Sequence, residues 1–253
     1  MENNDKINDN ELILKTNFTV TSADTDMFSR IRPGALLNFL IQSAIQSADD
    51  LGFGFEGLWK HRMFWVLSRL TMEIYRPIKW GEKLEVLTWP KDIYKLFYLR
   101  DFIVEDKKGN VAVKSTSAWL AVDLDSKRPK HIDGIEADYF TQLNNKHALQ
   151  EFPEKLEPVE GTDMFTIETT YFDIDLNKHV TSTRYVDWMM DTFSPYFHAN
   201  KYPEKLSVNY IKETGPQEQI LLKRSKDGQC SYNFEGLNQE ADTEAFRGKI
   251  DFR

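Results

Sequence analysis

The chain opens on a polar stretch and then alternates: Ile13 to Thr21 places Leu14, Phe18 and Val20 at strand-like positions. After Pro33, the apolar series Leu37, Leu40, Ile41, Ala44, Ile45, Ala48 and Leu51 follows a helical 3/4 spacing, and Gly52 stops it. Leu36 and Phe39 add apolar surface on other faces, so the pattern predicts a helix wrapped by protein. Strand-like stretches follow at Leu70–Tyr75, Lys83–Trp89, Leu96–Glu105 and Val111–Val122, with a hairpin turn at 106–110. From Asp125 to about Met164 periodicity fades around Pro129, Pro153 and Pro158, which predicts a connector with short helical pieces. The order then recurs. A strand at Thr166–Thr170 precedes a helix marked by Tyr185, Val186, Trp188, Met189 and Phe193, capped by Thr181 or Ser182 and ended by Pro195. Strands follow at Leu206–Lys212, Ile220–Ser225, Cys230–Phe234 and Glu244–Phe252.

That recurrence is an internal repeat. Ala23-Asp24-Thr25-Asp26 and Phe172-Asp173-Ile174-Asp175 stand at equal places before the two helices, so that Ile31 falls on Val180 and Phe39 on Trp188. The shared Tyr of Tyr75 to Gly81 and Tyr210 to Gly215 sets a second alignment. The repeats differ in their polar residues. Asn177 falls opposite Phe28, His179 opposite Arg30 and, aligned from the shared Tyr, Glu213 opposite Ile78. Only the second half therefore holds Asp175, Asn177, His179 and Glu213 together, as expected of a duplicated unit that keeps one working site.

Composition narrows the function. The 253 residues carry 32 Lys and Arg against 40 Asp and Glu, a net charge of −8 that disfavours a general nucleic-acid binder or an anionic membrane surface. One cysteine, Cys230, excludes an internal disulfide and fits a reducing compartment, and no run reaches the ~20 apolar residues of a membrane helix. The expectation is a cytoplasmic protein. Gly52 to Gly57 spells G-x-G-x-x-G but follows a helix, which argues against a dinucleotide site. The five histidines show no ligand-pair spacing and there is no second cysteine, so neither metal nor cofactor is expected.

The run Asp-Ile-Asp-Leu-Asn-Lys-His-Val at 173–180, the aromatic-rich helix after it and Tyr210-Ile-Lys-Glu-Thr-Gly215 resemble the acyl-acyl-carrier-protein thioesterases, from about Phe18 onward. Arg76 to Glu82 and Trp119 to Asp123 share in the resemblance. It implies an α+β fold, a tandem double hotdog with two antiparallel sheets each wrapped around a long helix. The expected division is a first repeat at 1–124 with a degenerate site and the acyl pocket, a connector at 125–164, and a catalytic repeat at 165–253. It also implies that Asp175, Asn177, His179 and Glu213 are catalytic. Relatives often carry a cysteine after the glutamate; here Thr214 stands there, against a cysteine-acyl mechanism, and Cys230 reads as structural.

A thioester carbonyl is already activated, so hydrolysis needs a positioned water, a base and stabilisation of the oxyanion. Glu213 with His179 is expected to activate the water, Asn177 to hold the carbonyl oxygen or that water, and Asp175 to fix the loop or orient His179. Backbone N–H groups at Val180–Thr183 are expected to face the oxyanion. Phe39, Phe53, Phe55, Trp59, Phe64 and Trp65 are candidate lining for the acyl chain. The expected partner is an acyl carrier protein bearing a phosphopantetheine-linked acyl chain; it is acidic, so docking needs a basic patch. Lys127–His131, Lys223–Lys226 and Lys60–Arg62 are candidates. Alternatives are an acyl-CoA thioesterase, a hydroxyacyl-thioester dehydratase, disfavoured by the Asn-x-His spacing, and a non-catalytic acyl-thioester-binding protein. The outer faces could still pair in a homodimer.

Overall fold

The computed structural model describes residues 8–132, 139–160 and 163–253. Its first half contributes β1 (Leu14–Thr19), α1 (Pro33–Asp50), α2 (Phe55–Lys60), β2 (Met63–Ile74), β3 (Lys83–Tyr94), β4 (Phe97–Asp106) and β5 (Val111–Asp123). The second half supplies β6 (Asp163–Glu168), α3 (Ser182–Asp191), α4 (Pro195–Asn200), β7 (Pro203–Tyr210), β8 (Gln219–Asp227), β9 (Ser231–Asn238) and β10 (Thr243–Phe252). Several elements differ from expectation, among them β2, α2 and α3. β2 starts at Met63, ahead of a register shift between Leu67 and Arg69 that blurs its alternation. The short α2 was not foreseen. α3 ends at Asp191, and Pro195 opens α4 at its first position, where a missing N–H costs nothing; Ser194 Oγ accepts the Phe197 N–H at 3.2 Å.

The expected pair of sheets is a single ten-stranded antiparallel sheet, ordered β1-β3-β4-β5-β2-β7-β10-β9-β8-β6. Read from either edge, the two halves have the same strand order, so the repeat in the sequence is a repeat of topology. The halves join where β2 pairs with β7, from Arg69↔Asn209 to Glu73↔Lys205. Left apart, each strand would expose a row of unpaired N–H and C=O groups. Pairing also places Leu70 opposite Val208 and Met72 opposite Leu206 on the core face.

One continuous core holds both halves, with Leu36, Leu37 and Leu40 of α1 and Val186 and Met189 of α3 buried in it. α1 is wrapped as expected: only Asn38, Gln42, Ile45, Gln46, Asp49 and Asp50 on it are exposed. Its buried Ser43 and Ser47 are partnered, Ser43 Oγ donating to the Phe39 carbonyl at 2.9 Å and Ser47 Oγ accepting from Arg100 at 2.9 Å.

Because β6 lies at the far edge from β1, the chain after β5 must cross the sheet. The crossing backbone would lose water there, and polar side chains on the strands replace it. Asp101 accepts the Ala148 N–H at 2.6 Å and Lys91 donates to the Leu149 carbonyl at 2.5 Å. Asn209 accepts from Leu156 N–H (2.8 Å) and donates to the Glu154 carbonyl (3.0 Å), and Glu235 accepts from Val159 N–H (2.9 Å). Buried Asp101, Lys91, Asn209 and Glu235 thus form a docking strip for the connector. Part of the expected connector, 133–138, lies outside the described residues.

Candidate active site

Each long helix follows the same loop. In the second half Thr170 and Asp173 close a capping box: Asp173 Oδ2 accepts the Thr170 N–H at 2.6 Å and its hydroxyl at 2.7 Å. Asp175 Oδ1 then accepts the N–H groups of Asn177 (2.8 Å) and His179 (3.3 Å), while Asp175 N–H donates to the His179 carbonyl at 2.8 Å. Lys178 takes φ +68 to close the turn. The first half builds the same loop from Thr21, Asp24 and Asp26, with Ser29 at φ +60. Asp175 therefore fixes the loop. No hydrogen bond joins its carboxylate to the His179 ring.

The side chains are what differ. Arg30 turns back onto Asp26 at 2.8 Å, donates to the His198 carbonyl at 2.7 Å and lies over the rings of Phe28 and Tyr202. His179, at the equivalent place, puts Nε2 3.2 Å from Glu213 Oε2, with the two side chains 40% and 52% exposed. Asn177 is exposed, and its amide carries no hydrogen bond to another described residue. Three of the four expected residues thus share one loop, and the fourth reaches it from the turn after β7.

The partner of Glu213 in the first half is Pro77, which corrects the alignment through the shared Tyr. Val180 N–H donates to the Thr214 carbonyl at 2.8 Å, and Ile31 N–H donates to the Ile78 carbonyl at the same distance. Likewise Ile211 N–H bonds Ala245 as Tyr75 N–H bonds Ala112. Ile78 is thus the counterpart of Thr214, and Tyr75 and Tyr210 are one residue out of step. The asymmetry survives: a proline cannot replace the carboxylate.

The turn under Glu213 is firmly held. Glu218 accepts the Gly215 N–H at 2.7 Å and the Asn238 amide at 2.5 Å, and Thr169 Oγ1 donates to the Gly215 carbonyl at 2.9 Å. Beneath it Thr214 and Tyr185 are buried, and the Tyr210 hydroxyl donates to the Ser182 carbonyl at 3.0 Å. Burial pushes the Tyr185 hydroxyl up to about 12 and Tyr210 higher still, so both stay protonated. The expected oxyanion donors narrow. Val180 N–H is spent on Thr214 and Thr181 N–H on the Asp173 carbonyl, whereas the Ser182 and Thr183 N–H groups have no acceptor among the described residues.

Asp173 anchors this arrangement to α3 through Arg184 Nε at 2.6 Å. Burial would raise its carboxyl, but the Thr170 N–H and hydroxyl and the Arg184 guanidinium outweigh it and hold the group below the usual carboxylate range. A folded value below the unfolded ~3.9 stabilises at pH above that point and stops doing so as pH falls through the folded value. Asp173→Asn is therefore expected to cost about 1–2 kcal/mol in urea unfolding at neutral pH. The gap to wild type should close below about pH 4.

A second feature is an apolar cavity of about 60 Å³ lined by Ala44, Ile45 and Ala48 of α1 with Phe53, Trp65, Tyr98, Trp119, Phe140 and Arg100. Of the expected lining residues, Phe53 and Trp65 are present. Phe39 instead stacks on Phe18 at 4.4 Å, Phe55 and Trp59 are exposed and stacked at 5.7 Å, and Phe64 lies under Lys127. Tyr98 and Arg100 escaped the sequence reading, although the alternation Tyr98, Arg100, Phe102 along β4 places both on the face of a buried phenylalanine.

Two basic clusters come together: Leu124 N–H bonds the Arg62 carbonyl, Arg62 pairs with Asp125 at 2.6 Å and Lys130 with Asp123 at 2.6 Å. Lys60, Lys127 and Arg128 stay exposed in that patch without an ion pair among the described residues. In the third cluster Lys223 is spent on Glu235 and Arg224 on Asp163. Cys230 is half-buried against the core just before β9, one residue short of the expected strand. Tyr171, Phe172 and Leu176, on the loop that carries His179, are 86%, 88% and 89% exposed.

With the fold and the geometry of the site in hand, comparison with known proteins gives the class. The chain belongs to the acyl-ACP thioesterase family: the model of the family's N-terminal domain matches residues 11–139 and that of its C-terminal domain residues 156–253. It is 24% identical to the chloroplastic oleoyl-acyl carrier protein thioesterase 1 of Arabidopsis thaliana, over 80% of this chain and 60% of that one. With the chloroplastic palmitoyl-acyl carrier protein thioesterase of the same plant it shares 23% identity, over 81% of this chain and 53% of that one. The chain thus spans between half and two thirds of the length of these curated relatives. Its fold matches that of an acyl-ACP thioesterase from Bacteroides thetaiotaomicron with a TM-score of 0.89 at 27% identity, over 96% of this chain and 98% of that one. For the 12:0-ACP thioesterase from Umbellularia californica the TM-score is 0.83 at 20% identity, over 96% and 97%. No helix among the described residues is long and apolar enough to cross a membrane.

Proposed function

We propose that this chain hydrolyses a fatty acyl thioester on acyl carrier protein and releases the free fatty acid. In this reading it is a double hotdog, with residues 1–124 as the acyl-binding repeat, 125–164 as connector and 165–253 as the catalytic repeat. The observation that carries the reading is the 3.2 Å contact of His179 Nε2 with Glu213 Oε2, where the first repeat has Arg30 and Pro77. The His179–Glu213 pair orients a water and takes its proton as the water oxygen attacks the carbonyl carbon. Asn177, with an unengaged amide, and the free N–H groups of Ser182 and Thr183 stabilise the oxyanion. Collapse breaks the C–S bond, and the proton held by the pair goes to the leaving thiolate. Asp175 acts by fixing the loop. Thr214 is buried where relatives often carry a cysteine, which supports direct attack by water. The lone Cys230 fits a reducing, cytoplasmic setting.

The carrier is acidic, and the exposed Lys60, Lys127 and Arg128 supply a local patch of the opposite sign on a net-negative chain. The exposed Tyr171, Phe172 and Leu176 beside His179 add an apolar contact surface. Free-thiol release is measured with matched acyl-carrier-protein and acyl-CoA substrates. The expected result is a preference for the carrier, with KM for that substrate alone raised about tenfold when Lys60, Lys127 and Arg128 are changed to Glu. Preference for CoA, unaffected by the changes, would move the substrate to acyl-CoA and keep the site.

A further inference from the structure

Tyr210 stands where the fold alone has no need of a hydroxyl. It ends β7 in phase with Leu206 and Val208, on the face that packs into the core. Its counterpart in the first repeat is Ile74, because Tyr75 N–H and Ile211 N–H make equivalent bonds to Ala112 and Ala245. By the same correspondence Tyr185 answers to Leu36 and Thr214 to Ile78. The first repeat thus builds the same strand, loop and helix on three buried aliphatic side chains, Leu36, Ile74 and Ile78. The second repeat puts three hydroxyl groups in their places, beneath the turn that carries Glu213. Taking a hydroxyl out of water costs free energy that an aliphatic side chain does not incur.

The Tyr210 hydroxyl has one contact, donating to the Ser182 carbonyl at 3.0 Å. Ser182 is the first residue of α3, and a carbonyl there already receives the N–H four residues on. The tyrosine bond is therefore not needed to complete the helix; it fixes where the first turn stands. The ring cannot swing away. It packs edge-on against Tyr185 at 5.7 Å, and Tyr185 packs in turn on Trp188 at 5.1 Å and Phe246 at 4.8 Å. Burial keeps the Tyr210 hydroxyl protonated far above neutral pH, so it remains a donor. Two parts of the site are joined in this way. Tyr210 lies three residues before Glu213, and the turn it holds carries the Ser182 N–H, which has no acceptor among the described residues. The first repeat lacks both ends of the tie: Pro33 opens α1 without an N–H, and Ile74 has no hydroxyl.

We propose that Tyr210 is a positioning residue for the hydrolysis, holding the first turn of α3 so that the Ser182 N–H meets the oxyanion at a fixed place relative to Glu213. Tyr210 touches neither substrate nor water and acts through Ser182. The inference deepens the thioesterase reading and rests on it for the oxyanion.

The test is steady-state hydrolysis of acyl-acyl-carrier protein, using the saturated chain that wild type turns over fastest. Tyr210→Phe keeps the ring and removes the hydroxyl. It is expected to lower kcat about tenfold with KM within twofold, less than the ~10² of an oxyanion donor lost outright. Ser182→Pro removes that donor at a position where a helix tolerates proline, as Pro33 shows, and should cost about 10² in kcat. Adding Tyr210→Phe to Ser182→Pro should cost less than a further twofold, because the place of an absent donor no longer matters. The control is Tyr202, which is buried and donates to the Ile31 carbonyl at 2.9 Å just before α1. Tyr202→Phe should lower Tm by a few degrees, as Tyr210→Phe does, and leave kcat within twofold of wild type. Tyr210→Ile, which copies the first repeat, takes the place of Tyr210→Phe if that variant does not fold. An unchanged kcat in the Tyr210 variant would overturn the inference. So would a full tenfold loss on top of Ser182→Pro, or an equal loss of kcat in Tyr202→Phe. Absence of turnover by wild type removes the thioesterase reading and this one with it; turnover left intact by the Tyr210 variant removes only this one.

Discussion

Replacing His179 by alanine is expected to lower kcat for thioester hydrolysis by about 10²–10⁴, the usual worth of a positioned acid–base group. Stability should hardly change, because the ring is 40% exposed and its ion-pair partner, Glu213, is more exposed still. Glu213→Gln keeps the shape of the side chain and removes its charge, and should fall in the same range. The double variant should be little worse than the poorer single one, since the two groups act as a unit. Asn177→Ala is expected to be milder than either, near the 10² lost with a single oxyanion donor. Steady-state free-thiol release, with circular dichroism as a check on folding, reads all of these.

The largest effect on stability is expected far from that site. Asp101 is fully buried, lies 3.2 Å from Lys91 Nζ, and also accepts from Thr116 Oγ1 and the Ala148 N–H. Asp101→Ala strands the Lys91 ammonium and frees a buried backbone N–H, so a loss of about 3–5 kcal/mol is expected. In a chain of this size that is a fall of roughly 10 °C in Tm. Adding Lys91→Met should recover part of it, because the second change removes the unpaired charge. A single variant within about 0.5 kcal/mol of wild type in urea unfolding would mean that the connector does not depend on this pair.

How much of this was legible in the sequence depended on whether the signal was local. α1 and α3 announce themselves by 3/4 spacing and the strands by β-branched and aromatic runs, because both follow from short-range geometry. The loops before the helices were legible for the same reason: Thr170, Asp173 and Asp175 satisfy backbone donors within a few residues of themselves. The joining of the halves was not. Leu70 opposite Val208 is a pairing between strands far apart in sequence, and either strand could have stood as an edge. The register of Glu213 was lost because Tyr75 and Tyr210 look alike while the backbone bonds of Ile78 and Thr214 define the true correspondence. The pairing of His179 with Glu213 came from repeat asymmetry and family resemblance, since neither residue is distinctive alone. Arg100 was readable in principle: a lone cation in the apolar phase of β4 between Tyr98 and Phe102 is a break in pattern.

At the core of the proposed function is cleavage of a thioester by the His179–Glu213 pair of the second repeat. Its most direct test is single-turnover hydrolysis of acyl-acyl-carrier protein, with wild type beside Glu213→Gln and intact-protein mass recorded over the time course. The expected result is rapid thiol release by wild type, a collapse in the variant, and no acylated protein at any time in either. Equal rates in the two proteins, or an acylated wild-type chain that builds up and decays during turnover, would contradict it.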